Sequence, residues 1–424
     1  MKYIKEREAI SSDPIGIFLG CVYIFFTYLG SSIYLPSWLS RGTLLAFLAY
    51  GLLIFIARVI DRSFFLSHYS IWYGIIIFYT TISFPFSLYP SEIYSNHYYQ
   101  LIVCFVTTLF LAEFITSDRE FSMVCWSYVL SSLLMIILMY RNGNLVGNYD
   151  ERLGNEVVGN ANILATFLMY SVMYAIWLLI YRNYRLLLKI IISISIVADV
   201  YAIMLSAGRK FFVIPFIFLF VLLLMRSESD YLKNAIKYSL MMFLIVIVLY
   251  VIITRNPTLY NAIGVRIGSL INFVTGNGKA DTSSIVRSQM RRAAIKGWKN
   301  KPIFGYGFNS FQYLRTPELL NGKSHSYSHC NYTELLYNGG IVYTVMYYAG
   351  FGYIIWEAIT KKKWDRKMRA FALAAIISQF VLDYGGVFYD ILTTQIFLLM
   401  ATRSIEDSYS NSGKAWLLPR CQLK

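Results

Sequence analysis

Charged residues are scarce in this 424-residue chain, and apolar residues fill most of it. Only 14% of the positions are Asp, Glu, Lys or Arg, whereas 57% are hydrophobic. A soluble globular domain has about a quarter charged residues, so this composition excludes an ordinary soluble domain and indicates an all-α integral membrane protein. Its apolar runs predict about twelve transmembrane helices of ~20 residues each. The predicted spans lie near 14–32, 43–60, 69–89, 97–117, 122–140, 161–180, 189–206, 209–225, 237–254, 336–358, 370–386 and 388–403.

The sequence also lacks the residues of a disulfide framework, a zinc site or a glycosidase carboxylate pair. Only Cys330 of its five cysteines lies in the longest predicted loop, so no disulfide can close within that loop. His325 and His329 have helical spacing, but no Asp or Glu lies nearby in a zinc pattern. The predicted outer segments show no Asp-x-Asp motif and no paired carboxylates. We therefore predict chemistry that needs neither a metal nor a cofactor.

Lys and Arg are distributed unevenly among the predicted loops, and this distribution predicts the orientation. The run TKKKWDRKMR at 360–369 is strongly basic, whereas the loop at 91–96 has no cation. Both termini are therefore predicted in the cytoplasm, and segments 141–160, 206–210 and 255–335 on the outer face of the plasma (inner) membrane. Basic cytoplasmic loops that face anionic lipid account for the net charge of +15 without a nucleic-acid partner.

This topology divides the chain into three parts. Residues 1–254 hold predicted spans one to nine, residues 255–335 form a large extracytoplasmic loop, and residues 336–424 hold the last three spans and a cytoplasmic tail. The loop is too long for a mere connector. Its segment 283–300 has apolar and basic residues at helical spacing, so we predict that the loop is itself partly helical.

Arg209 and Lys210 interrupt an apolar run that extends from about Ile190 to Met225. The run is too long for one span of ~20 residues, so the chain is expected to turn at 206–208. Two cations then lie at or just inside a membrane face, where a charge costs about 2.5–3.5 kcal/mol and usually marks a site. Arginine suits a phosphate-bearing partner, because its planar guanidinium offers paired donors.

The other polar residues of the outer segments each allow two interpretations. Arg152 is either a solvated loop arginine or part of a site. The basic helix predicted at 283–300 either lies on anionic headgroups, caps the bundle, or binds a ligand. His329 is either a polar surface residue or a site residue that faces the arginines. The many aromatic residues of the large loop suit an interfacial belt and equally suit stacking against sugar rings.

Four segments together resemble the O-antigen ligase and Wzy-type O-antigen polymerase superfamily of bacterial membrane glycosyltransferases. Their order, spacing and placement on one face carry the resemblance, which covers 150–360. Cys330 follows His329 where the family often has Asn, and Ala161 replaces the Pro of the family's Asn-Pro-Asn. The segments are RLGNEVVGNAN (152–162), SAGRKFFVIPF (206–216), RSQMRRAAIKGWKNKPIFGYG (287–307) and HCNYTELLYNGG (329–340).

The resemblance implies a GT-C-like membrane fold and a surface polysaccharide polymerase. Such an enzyme transfers a glycan from undecaprenyl pyrophosphate to the sugar hydroxyl of a lipid-linked repeat unit, with inversion and without a metal. It implies that Arg209 and Arg287 clamp the pyrophosphate, and that His329 is the general base or binds the phosphate. The substrate-binding candidates are Arg152, Asn162, Lys210, Arg291, Arg292, Asn331 and Glu334.

Two other functions remain open from the sequence. An O-antigen ligase shares these motifs and transfers the glycan to lipid A-core instead. A lipid-linked oligosaccharide transporter is expected to have internal repeats and charged or broken helices in both halves. Here the polar features crowd into one outer region, which favours an enzyme. The predicted partners are an undecaprenyl-pyrophosphate-linked oligosaccharide, membrane lipid and a chain-length regulator protein.

Overall fold

Helices form the framework of the chain in its computed structural model. The structure describes residues 13–406 apart from 62, 65, 147–150, 227–230, 276–281, 318, 320, 321, 323, 325 and 361–364. The α-helices of this part are α1 (Pro14–Leu29), α2 (Ser37–Ile60), α3 (His68–Ser83), α4 (Asn96–Phe114), α5 (Asp118–Arg141), α6 (Asn155–Val158), α7 (Ala161–Tyr181), α8 (Leu186–Leu205), α9 (Arg209–Arg226), α10 (Tyr231–Arg255), α11 (Pro257–Leu259), α12 (Val265–Val274), α13 (Thr282–Trp298), α14 (Asn331–Thr360), α15 (Arg366–Asp383) and α16 (Leu392–Arg403).

Six of the helices that the structure describes are long and apolar enough to cross a membrane. The predicted all-α membrane fold is therefore confirmed. The predicted number of about twelve spans stays a prediction, since α1 and α3 have 16 residues each and α16 has only 12. The predicted cytoplasmic termini, 1–12 and 407–424, lie outside the described residues. The six helices are Ser37–Ile60, Asn96–Phe114, Asp118–Arg141, Ala161–Tyr181, Leu186–Leu205 and Lys233–Arg255.

Helix α7 forms the centre of the bundle. Every residue from 164 to 178 is buried, as expected for a helix that is apolar on all sides and surrounded by others. It packs against α5, α8 and α9. Helices α2 and α10 show the opposite pattern, because only 11% and 6% of their apolar windows are buried by protein. Their apolar surfaces are therefore suited to contact with lipid.

Helix α14 is broken at Gly340, and the segment PIFGYG (302–307) occupies the break. Gly340 has a φ of +65°, which interrupts the helical hydrogen bonds. The amides of Ile341 and Val342 donate to the carbonyls of Pro302 and Ile303 at 2.9 and 3.2 Å. A Cβ at Gly340 would lie 2.2 Å from the Ile303 carbonyl oxygen, so glycine is needed here on steric grounds.

The same segment also bonds to the first half of α14. The amides of Tyr306 and Gly307 donate to the carbonyls of Tyr337 and Asn338 at 3.0 and 2.7 Å. The broken helix therefore has its backbone groups satisfied by the loop, as burial requires. Helix α13 then packs on this assembly through Ala294. These contacts hold the helix that begins just after His329 in one position.

Candidate functional site

Several helix ends meet at one end of the bundle and enclose a cavity of about 210 Å³. The N-terminal ends of α7, α9 and α14 lie here, and the positive ends of helix dipoles favour an anion. A smaller cavity of about 90 Å³ adjoins it and shares Lys210 and His329. The larger one, called here the basic cavity, is lined by Arg152, Asn162, Ala207, Gly208, Arg209, Lys210, Phe211, Arg266, Ser283, Ser284, Arg287, Arg291, His329, Tyr384 and Gly385.

Arg152 is positioned by the turn between α8 and α9. Its Nε donates to the Ser206 carbonyl at 2.6 Å, and its Nη2 donates to Oδ1 of Asn162 at 3.0 Å. Ala207 in this turn has a φ of +56°, a conformation that costs a non-glycine residue energy and is often found at functional sites. Asn160 caps α7 by accepting from the Asn162 amide at 2.8 Å. Arg152 is thus a held side chain and not a freely solvated one.

Arg209 joins the bundle to the long loop. Its Nη1 donates to the Arg266 carbonyl at 3.0 Å, and its Nη2 donates to Oγ of Ser284 at 3.3 Å. These bonds connect α9 to α12 and α13, which carry Arg266 and Arg287. Helix α13 of the long loop therefore lies next to Arg209, as expected.

The side chain of Lys210 lies against the turn formed by Gly385 and Gly386. Its Nζ donates to the Gly385 carbonyl at 2.5 Å and lies 4.6 and 5.0 Å from the ring centroids of Phe211 and Phe388. A Cβ on Gly385 would lie 2.7 Å from Cδ of Lys210, and one on Gly386 would lie 2.7 Å from Nζ. The absence of side chains at these two glycines therefore makes room for the lysine.

The loop helix α13 presents two arginines to the basic cavity. Arg287 and Arg291 are one turn apart, and both line it. The guanidinium carbon of Arg291 lies 4.8 Å from the ring centroid of Tyr384, a cation–π contact. Arg292 is exposed and lies outside the cavity lining.

His329 lies between the two cavities, immediately before α14. It has a φ of +59°, and its ring centroid is 4.5 Å from that of Tyr327. Burial, followed by the positive charges of Arg287, Lys210 and Arg291, lowers the pKa of His329 to about 4. The imidazole is therefore neutral at neutral pH and can accept a proton or a hydrogen bond.

The cations of the basic cavity lie close enough together to act on one another. Burial, followed by repulsion from Arg266 and Arg287, lowers the pKa of Arg152 to about 10. The lowered pKa of His329 has the same electrostatic origin. A cavity that disfavours further protonation in this way favours an anionic ligand.

Two predicted substrate-binding residues lie behind the cavity. Oδ1 of Asn331 accepts from the Phe388 amide at 3.2 Å, and its Nδ2 donates to Oδ2 of Asp383 at 3.2 Å. Glu334 accepts from the Ser328 amide at 2.6 Å and from Nδ2 of Asn338 at 3.0 Å. Both side chains are buried. They hold the backbone around His329, and neither lines either cavity.

Sequence reasoning missed Arg266 and Tyr384, which both line the basic cavity. The signal for Arg266 was a single cation in the apolar stretch VRIGSLINFV of the long loop at 255–335. Tyr384 lies inside the span predicted near 370–386, whereas the helix in the structure ends at Asp383. His325, the second loop histidine, lies outside the described residues.

The comparisons with known proteins concern this same region. A family model described as O-antigen ligase matches residues 160–348. The matched range includes Arg209, Arg287 and His329, whereas Arg152 and the turn at Tyr384 lie outside it. A comparison with curated proteins found no match.

Proposed function

We propose that this chain, whose residues 160–348 match the O-antigen ligase family model, is a polysaccharide polymerase at the outer face of the plasma membrane. It transfers a glycan from a polyprenyl pyrophosphate to the sugar hydroxyl of a lipid-linked repeat unit. The observation that carries this proposal is the basic cavity, which gathers several arginines at the end of an apolar helix bundle. A lipid pyrophosphate has a matching apolar tail and anionic head.

The arginines act on the leaving group. As the bond from the anomeric carbon to the pyrophosphate oxygen breaks, negative charge grows on that oxygen. Arg209 and Arg287 would stabilise this charge with charge-assisted hydrogen bonds. Lys210, Arg152 and Arg291 line the same cavity and supply further positive charge. Because Arg152 and Arg209 are held by the hydrogen bonds to Ser206 and Arg266, little reorganisation is needed when the substrate binds.

His329 serves the acceptor hydroxyl. The hydroxyl oxygen attacks the anomeric carbon from the face opposite the pyrophosphate, so the configuration inverts. The proton of the hydroxyl passes to the neutral imidazole. The pKa of His329, which burial and the neighbouring cations lower to about 4, is low for a base. A bound pyrophosphate offsets the surrounding cations and raises this pKa toward the ordinary range, where a general base is effective.

An O-antigen ligase is the second candidate, since the matching family model carries that description. Both enzymes use the same donor chemistry, and only the acceptor differs. Aromatic residues of the long loop, such as Tyr313 and Tyr327, are exposed and suit the sugar of either acceptor. The product that accumulates in a strain lacking the chain separates the two: single repeats indicate a polymerase, and unattached lipid-linked polymer indicates a ligase.

The test replaces Arg209, Arg287 and His329 one at a time with Ala at matched protein levels. Each variant is expected to lose long-chain polysaccharide on a gel. Lys299→Ala is the control, because it removes an exposed cation close to the end of α13 and outside both cavity linings. Retention of long chains by all three variants would show that the basic cavity is not the catalytic site.

A further inference from the structure

A second polar group lies beside the site and has no role in the donor chemistry. The segment 384–391 connects the two: Gly385 lines both cavities, Phe388 lines the smaller one, and Asp390 bonds to His97 at the start of α4. The distance from Nδ1 of His97 to Oδ2 of Asp390 is 2.7 Å. One short turn therefore borders the basic cavity and also carries the partner of a surface histidine.

The pair has a defined hydrogen-bonding direction. Asp390 is buried, and as a carboxylate it only accepts, so Nδ1 of the imidazole carries the hydrogen. Nε2 takes no part in this bond, and the His97 side chain is 49% exposed. Nε2 is therefore suited to exchange a hydrogen bond with a hydroxyl group, which both donates and accepts.

The surroundings of this pair are acidic and aromatic. Glu92 is buried nearby and accepts hydrogen bonds from Nδ2 of Asn309 at 2.6 Å and from the Tyr313 hydroxyl. The ring of Tyr313 lies 4.3 Å from that of Tyr89, measured between centroids. Acidic groups repel a pyrophosphate, whereas an uncharged sugar offers hydroxyls to them and its apolar CH faces to the rings. The group of Glu92, His97, Tyr313 and Asp390, called here the acidic sector, therefore suits a saccharide and disfavours the anionic donor head.

Tyr327 marks the boundary between the two sectors. It lines the smaller cavity together with His329. Burial is the main cause that raises the pKa of Tyr327, the charges of Glu334 and Asp390 raise it further, and Arg287 opposes them. The phenol thus lies within electrostatic reach of Arg287 from the basic cavity and Asp390 from the acidic sector. The ring of Tyr327 in turn contacts that of His329, at 4.5 Å between centroids.

We propose that His97, oriented by Asp390, binds a hydroxyl of the acceptor sugar next to the basic cavity. Donor and acceptor then occupy electrostatically different halves of one site, with His329 between them. This assignment rests on the glycosyl transfer proposed above and identifies where its acceptor binds. His97 acts as a binding residue, so its loss weakens acceptor binding and leaves pyrophosphate binding intact.

The test uses the full chain reconstituted in liposomes. Lipid-linked repeat units extracted from a strain that lacks the chain are titrated to obtain kcat and KM, and inorganic pyrophosphate is titrated by calorimetry. His97→Gln and Asp390→Asn are expected to raise KM about five- to ten-fold, since a lost hydrogen bond weakens binding by ~1 kcal/mol. Their pyrophosphate affinity is expected to be unchanged.

The matched control is His68→Gln. His68 forms the same kind of pair, from Nδ1 to the buried Glu406 at 3.1 Å, with a similar exposure of 47%. It lies at the opposite end of α16 and is expected to change neither KM nor pyrophosphate affinity. An unchanged KM in both His97→Gln and His97→Ala overturns the acceptor subsite, and so does an equal loss of pyrophosphate affinity. Failure of the unaltered protein to bind pyrophosphate overturns the donor assignment instead, whatever the His97 variants do.

Discussion

The ammonium group of Lys210 donates to the carbonyl oxygen of Gly385 at 2.5 Å, across a turn with no side chain to obstruct it. This bond joins the start of α9 to the end of α15 and places a cation in the wall of the basic cavity. The sequence identifies Lys210 as a cation that interrupts an apolar run, but no local pattern predicts its contact with the turn at Gly385.

Replacement of Gly385 by Ala is expected to displace Lys210. The added Cβ would lie 2.7 Å from Cδ of the lysine, so the lysine must leave its position or the turn must open. Such overpacking costs ~1–3 kcal/mol. The expected result is weaker binding of inorganic pyrophosphate, measured by calorimetry, at nearly unchanged helix content by circular dichroism. Unchanged pyrophosphate affinity would mean that Lys210 does not contribute to anion binding.

The protonation of His329 is expected to depend on the anion. Burial and the charges of Arg287, Lys210 and Arg291 lower the pKa of His329 to about 4. A bound pyrophosphate neutralises the nearby cations, so the pKa rises toward the ordinary value of ~6.5. The chain has four histidines, so carbon-13 labelling of histidine with His329→Gln as the assignment control makes the titration observable by NMR. The same titration midpoint with and without pyrophosphate would place His329 away from the bound anion.

The lowered pKa also predicts the direction of pH-dependent stability. The folded-state pKa of His329 lies below its unfolded value, so the unfolded chain binds more protons between about pH 6.5 and 4. The contribution of this residue to stability is complete above that window and is lost as the pH falls through it. Thermal unfolding of the unaltered protein is therefore expected to depend more steeply on pH here than unfolding of His329→Gln.

Replacement of Gly340 by Ala is expected to disrupt the packing of PIFGYG against α14. Its φ of +65° and the 2.2 Å approach of a Cβ to the Ile303 carbonyl oxygen both exclude a side chain. The strain is on the order of 1–3 kcal/mol, and the clash adds to it. Gly352→Ala in the same helix is the control, because no atom lies within 4 Å of the added Cβ. A lower unfolding temperature is expected for the first variant only; equal temperatures would contradict the role assigned to the break.

The interrupted run at Arg209 predicted both the turn at 206–208 and a cation at the end of a helix, because apolar length and charge placement are local properties. The amphipathic helix near Arg287 was predicted for the same reason. Glu334 and Asn331 were assigned to substrate binding from their place beside His329. In the structure neither side chain lines the two cavities, since the direction of a side chain depends on how its helix packs.

The sequence by itself determined that this chain is an all-α membrane protein in which Arg209 and Lys210 interrupt a long apolar run. Apolar runs of ~20 residues are long enough to cross a membrane as helices, which satisfy their backbone hydrogen bonds within the segment. Only the tertiary structure decided which cations share one cavity, that Arg266 and Tyr384 join them, and that His97 and Asp390 form a second polar sector beside them. Those relationships join residues up to 293 positions apart, and such distant contacts depend on helix packing, which no local pattern encodes.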